Sequence, residues 1–176
     1  LPVVPTSLQG EWSGRYTTER PAGNWMKPGY ADASWTAAPG AFGTPNESSA
    51  RTRWTTRDIW VRRTATLDED LRGKTVYLEF SNDDDAVFYV NGVEVYNTGS
   101  ICNRNRRVAL PEEAVRTLGK GEVLLAAHCT NPQGFGIIDF GLIVPKEQRA
   151  CLTQTAEQRS VDVQATQTHY AFTCGG

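Results

Sequence analysis

The sequence predicts an all-β fold, a two-layer antiparallel β-sandwich of the jelly-roll kind with one short helix. Three observations lead there. Sixteen glycines and nine prolines against a single methionine mark a chain rich in turns and poor in long helices. Apolar residues recur at alternate positions through segments of roughly five to ten residues, the length of ordinary strands. Asn91 and Gly92 sit between two β-rich runs and supply the two positive-φ residues of a type I′ hairpin turn.

The first 57 residues are less regular but hold four of the five tryptophans, Trp12, Trp25, Trp35 and Trp54. Large aromatics in a loop-rich stretch anchor it to a sheet, so most are expected to pack inside. Asp58 to Leu67 reads as the first long strand. Leu71 to Gly73 supplies a turn, and Lys74 to Ser81 follows with Val76, Leu78 and Phe80 inward. In the hairpin, a two-residue turn pairs Val90 with Val93 and Phe88 with Val95. Those four face the core, while Tyr89 and Glu94 face the other way. Asn105 to Leu110 fits a short strand. Glu122 to Thr130 and Phe135 to Val144 are apolar on both faces, as central strands are. Between Leu110 and Glu122, Pro111 fits the first turn of a helix, Glu112 and Glu113 complement its dipole, and Gly119 is placed to end it.

Several function classes are disfavoured. Eighteen lysines and arginines against twenty acidic residues leave a formal charge of −2, so no global field draws the chain to nucleic acid or an anionic membrane. Arg51, Arg53, Arg57, Arg62, Arg63, Arg104, Arg106 and Arg107 accompany no nucleic-acid motif, so salt bridges or a surface for a neighbouring domain explain them better. Apolar stretches such as Val123 to Ala127 are too short to cross a bilayer. Leu1-Pro2 begins no signal peptide, so any export signal has been removed or was never in this piece. Cys102, Cys129, Cys151 and Cys174 allow three pairings, and none forms a metal-type Cys-x-x-Cys pair. Strand parity puts Cys102 and Cys129 near one end, which makes a disulfide between them a candidate if their Cα atoms lie within ~7 Å. Buried thiols are the alternative.

At Asp58 to Thr64, Leu71 to Phe80, Asp83 to Ala86 and Tyr89 to Val95 the chain resembles the sugar-binding domain of family 2 glycoside hydrolases, a galactose-binding-like jelly roll. Asn24-Trp25, Ala31 to Trp35, Gly40 to Pro45, Leu124 to Cys129 and Ile138 to Leu142 look more like a narrower relative, the jelly-roll modules of large secreted bacterial proteins of the glutaminase-like or glycoside-hydrolase-like kind. The resemblance covers residues of about 10 to 145 and implies a module without catalytic carboxylates, which in family 2 belong to a separate barrel. It assigns residues 1–145 to the module. Residues 146–176, from Arg159 to Gly176 above all, resemble the opening strands of a following domain. Two strands alone are marginal in water, so that tail is expected to lean on the sandwich or on another copy of the chain through Val161, Val163, Tyr170 and Phe172. An edge of that kind invites dimerisation.

If successive strands run antiparallel, the loops at 43–57, 82–85, 98–104 and 130–134 share one end of the sandwich. The 68–73 and 91–92 turns and the 111–121 segment share the other. The first end gathers the candidate ligand-binding residues Trp54, Arg57, Asp84, Asn103, Arg104, Asn131 and Gln133. An aromatic face with planar amides and charges is what sugars need, and a merely solvated loop rim is the alternative reading. Catalysis is not expected. Asp83, Asp84 and Asp85 are consecutive, so they point apart and cannot flank a glycosidic bond. They are more suited to holding a turn, or a structural Ca²⁺ as the sole cofactor considered. His128 and Cys129 are strand neighbours that face opposite ways, so one belongs to the core. Ser7 and Ser13 lack a nucleophile-elbow glycine pattern. The sequence thus points to a non-catalytic accessory module of a secreted, periplasmic or cell-surface hydrolase, binding carbohydrate weakly. The alternative is a structural spacer docked on other domains of its own polypeptide.

Overall fold

The computed structural model describes residues 1–146. Cys151, Cys174 and the four tail contacts therefore lie outside the described residues, as does all of the expected second unit beyond Lys146. The elements are β1 (Pro2–Val4), β2 (Trp12–Thr17), β3 (Thr36–Gly40), β4 (Phe42–Gly43), β5 (Thr52–Arg53), β6 (Asp58–Leu67), β7 (Tyr77–Asp83), β8 (Asp85–Val90), β9 (Val93–Asn97), β10 (Asn103–Ala109), α1 (Glu112–Val115), β11 (Gly121–Thr130) and β12 (Ile137–Ile143). They form two six-stranded sheets. The first runs β10-β7-β12-β4-β5 with β1 added on β12, and the second runs β3-β2-β6-β11-β8-β9. Pairing is antiparallel except between β4 and β5. This is the expected sandwich.

Alternation explains which side chains meet between the sheets. Ile59 and Val61 on β6, Leu78 and Phe80 on β7, Phe88 and Val90 on β8, and Ile138, Phe140 and Leu142 on β12 are all buried in one core. Phe88 lies 4.7 Å from Phe80 and 5.8 Å from Phe140, ring centre to ring centre, in tilted and edge-on contacts. Each such side chain contributes about 1.5–3 kcal/mol through burial. β11 and β12 are central, as their two-sided apolarity predicts: β11 lies between β6 and β8, and β12 between β7 and β4.

Two local expectations are corrected. Val90 faces Val93 and Tyr89 faces Glu94, but a bulge then pairs Phe88 with Tyr96 instead of Val95. The extra residue lets Val95 stay buried while Tyr96 reaches Phe80 at 5.5 Å, which a strict two-residue alternation cannot do. β12 begins at Ile137, not Phe135. Gly134 turns the chain at φ 87° and Asn131 Nδ2 donates to the Phe135 carbonyl at 3.0 Å, which keeps Phe135 in the loop and 60% exposed. The helix forms where expected but for four residues only, after Pro111 at φ −63°.

Loops close over the outer faces. After β1 the chain crosses β12 at Gly141, where a β-carbon would stand 2.2 Å from the Val4 carbonyl oxygen. On the second sheet, the segment between β2 and β3 builds a separate cluster of Trp25, Trp35, Trp60 and Ala126, with Met26, Tyr30 and Tyr89 against it. Arg62 fixes that segment. Its guanidinium is 5% exposed, pairs with Asp32 at 2.7 Å, and donates to the carbonyls of Trp25 and Lys27. With Trp12 and Trp54 in the core between the sheets, all five tryptophans are buried.

Candidate functional site

The loops sorted together by parity do meet. The Asn131 amide donates to the Arg57 carbonyl at 2.7 Å, Thr44 Oγ1 bridges Gly134 and Gly136, Arg104 pairs with Glu47 at 2.7 Å, and Asn82 Nδ2 donates to the Ile101 carbonyl at 3.0 Å. At the opposite end the Leu71 amide reaches the Leu118 carbonyl and Asn91 reaches Thr117.

Most of the seven residues expected to bind ligand are committed to holding these loops. Asn103 is buried, donating to Asn82 Oδ1 and the Ile101 carbonyl while accepting from Arg106. Asn131 is buried too, closing its own loop through Phe135 and Gln133. Partial burial pushes the Glu47 carboxyl up, but hydrogen bonds from Ser49 and Arg104 outweigh it and hold the pKa below the usual range. Asp84 receives the Cys102 thiol at 3.5 Å. Arg57 and Gln133 are exposed on the rim. Trp54 requires a correction: it is 2% exposed and belongs to the core, so it presents no ring face to a sugar. Its position after the short β5 turns it inward against the sandwich, and alternation within a two-residue strand gives no warning of that.

A different arrangement lies on the outer face of the second sheet. Cross-strand register sets Trp60 on β6 opposite His128 on β11, and their rings stack at 4.4 Å with 3° between planes. On β8, Tyr89 faces the same way and meets Trp25 edge-on at 5.5 Å. With Arg20 and Asp58 these four enclose an open hollow of about 680 Å³ under the 20–25 segment. Asp58 Oδ1 accepts from Thr130 Oγ1 at 2.7 Å and contacts His128 Nε2 at 2.9 Å. Its other carboxylate oxygen takes no hydrogen bond among the described residues. Partial burial raises the Asp58 pKa, but the bonds from Thr130 and His128, together with the charges of His128 and Arg57, bring it below the ordinary 3.8. Burial and the Glu94 charge push the Tyr89 phenol up, so it stays a hydroxyl. The order needed for nucleophilic catalysis is missing here. Thr130 gives its proton to Asp58 and stands 3.5 Å from the histidine nitrogen that Asp58 already occupies.

Reading from the sequence alone misses this hollow. Trp60, Tyr89 and His128 share the outward phase of three strands, a signal that is visible. What brings them together is the register of β6, β11 and β8, which residue patterns do not fix.

Cys102 and Cys129 are free thiols, so the candidate disulfide is not formed. Cys129 is buried in the core, where burial pushes its thiol far up, and the exposed Cys102 donates to Asp83 Oδ1 at 2.8 Å. That bond, with burial and the nearby carboxylates, pushes the Cys102 pKa up to about 12. Asp83, Asp84 and Cys102 place their donor atoms within 4.8 Å of one another, near enough to share an ion. The set mixes two hard oxygens with a protonated thiol and is short of the six to eight oxygens calcium takes.

The architecture is a β-sandwich similar in fold to part of several glycoside hydrolase family 2 enzymes. Among similar solved structures are a family 2 member from Bacteroides cellulosilyticus (16% identity, TM-score 0.52, covering 77% of this chain and 21% of that one) and the β-glucuronidase of Lactobacillus rhamnosus (16%, 0.52, 77% and 28%). A Ruminococcus gnavus β-glucuronidase in complex with an N1-substituted uronic isofagomine is similar as well (15%, 0.51, 81% and 30%). The chain thus spans less than a third of these enzymes, and at such identities the likeness is one of fold. No family model and no curated relative matches the sequence.

Proposed function

We propose that the chain is a non-catalytic accessory module of a larger exported bacterial hydrolase, glycoside-hydrolase-like or glutaminase-like, and that it binds carbohydrate weakly. The observation that carries this reading is the hollow on the second sheet, where the partly exposed rings of Tyr89 and His128 and a half-satisfied carboxylate face solvent together over buried tryptophans. Aromatic walls with a few polar groups suit a small polyol. The similar structures add support, because the sandwich is a minor part of enzymes described as glycoside hydrolases. A glycan array probed with the chain, alongside turnover assays on aryl glycosides and glutamine, tests the proposal: binding of neutral glycans without turnover is expected. Turnover by the purified chain would overturn it.

A second reading, a spacer docked on another domain, has one observation in its favour. Leu1, Pro2, Tyr77, Ile143, Val144 and Pro145 line a groove of about 570 Å³ at one end of the first sheet, where β1 and β7 flank β12, and Leu1 is 44% exposed. Four of the eight candidate arginines do not add to it, since Arg51, Arg62, Arg104 and Arg107 are each paired with an acidic residue.

A further inference from the structure

We infer that the hollow under the 20–25 segment is the sugar site, and that it takes the end of a neutral glycan, one pyranose inserted edge-on, with Asp58 and Arg20 holding its hydroxyls. This deepens the carbohydrate-binding reading above and rests on it. The volume of about 680 Å³ falls among ordinary small-ligand sites. Trp25 and Trp60 are each 7% exposed, so they form a floor and cannot serve as an open stacking platform. A sugar therefore enters along its edge. The partly exposed His128 and Tyr89 then offer the apolar contact, and hydroxyls meet the polar wall.

That wall has one acceptor and one donor. Asp58 keeps an oxygen open after Thr130 and His128 have taken the other. Arg20 is exposed and makes no ion pair among the described residues, so its guanidinium remains available. Asp58 and Arg20 bring one charge of each sign to the wall. Asp58, the less exposed of the two, repels a carboxylated sugar, whereas hydroxyls satisfy both groups. The frame is set in advance: Arg62 holds the Trp25 and Lys27 carbonyls, and Trp25 packs on Tyr89 and on Trp35 at 6.4 Å. Little ordering is left for binding to impose.

The test is calorimetric titration of the whole chain with methyl galactoside, methyl glucoside, methyl mannoside and methyl glucuronide, using the wild type, Arg20→Ala, Asp58→Asn and the rim variant Gln133→Ala. Thermal melts confirm that each is folded, and the exposed Arg20 provides a variant that does not disturb the fold. The expected result is binding of a neutral glycoside that weakens about tenfold in Arg20→Ala and Asp58→Asn, the loss of one charge-assisted hydrogen bond, and little change in Gln133→Ala. Neutral binding that survives both hollow variants, or that Gln133→Ala alone abolishes, overturns the site while leaving the carbohydrate reading intact. Preference for the glucuronide overturns the charge argument. No binding of any glycoside overturns both.

Discussion

At the scale of single residues, two charged side chains make the account testable. Arg63 is buried, donates to the carbonyls of Pro5 and Phe140 at 2.9 and 2.8 Å, and lies 4.2 Å over the Trp12 ring. Burial brings its pKa down to about 10, with the Asp139 charge opposing, so it is still cationic at neutral pH. Arg63→Ala would strand two carbonyls and remove the cation that faces Asp139. A loss of about 3 kcal/mol in urea unfolding is expected. Asp58 governs acid sensitivity at the hollow. Its folded-state pKa is depressed, so its ionised form stabilises the fold above the ordinary value of 3.8, and that contribution is lost as pH falls through the folded-state pKa. Urea midpoints followed from about pH 5 to about pH 2 should fall less steeply for Asp58→Asn than for the wild type. Equal slopes would mean that Thr130 and His128 do not hold the carboxylate as described.

At the scale of elements, the turn at Asn91-Gly92 shows what was readable. Asn91 has φ 47° and Gly92 φ 87°, the left-handed pair that the dipeptide calls for. Asn91 does more than turn the chain, since Oδ1 accepts from the Leu124 amide at 2.8 Å and Nδ2 donates to Thr117. Asn91→Ala should therefore cost about 1–3 kcal/mol, more than a turn preference alone, read as a lowered melting midpoint. The long strands were legible because one or both faces are buried, and their apolar phase survives in the residues. β6 begins and ends where alternation places it, at Asp58 and Leu67. The bulge that moves Val95 and the loop that retains Phe135 were not legible, because each depends on a contact with another element: Tyr96 with Phe80, and Phe135 with Asn131. The three-residue β1 escaped notice too. Its place is set by Gly141 on β12, which leaves room for the Val4 and Pro5 backbone.

For the whole molecule, residues 1–146 contain two six-stranded sheets packed on a large shared core, so a chain ending at Lys146 should unfold cooperatively. Denaturant curves on the truncated and full chains check this. A truncated chain that aggregates would make the remainder an integral part of the sandwich. The sequence located the loop end correctly, because parity follows from alternating strand direction. It could not say that Asn103, Arg104 and Asn131 are occupied there, because polar residues in loops look alike whether they serve a ligand or each other. The aromatic hollow was out of reach for the opposite reason: its residues are scattered from Arg20 to His128 and converge through sheet register and through the folding of the 20–25 segment over the sheet. The central claim is that this sandwich binds a neutral sugar on the outer face of its second sheet. Crystals of the chain soaked in the neutral methyl glycoside that it binds test it most directly. Density for a pyranose between Arg20 and Asp58, beside His128 and Tyr89, is the result the account predicts; density on the loop rim around Gln133, with an empty hollow, would contradict it.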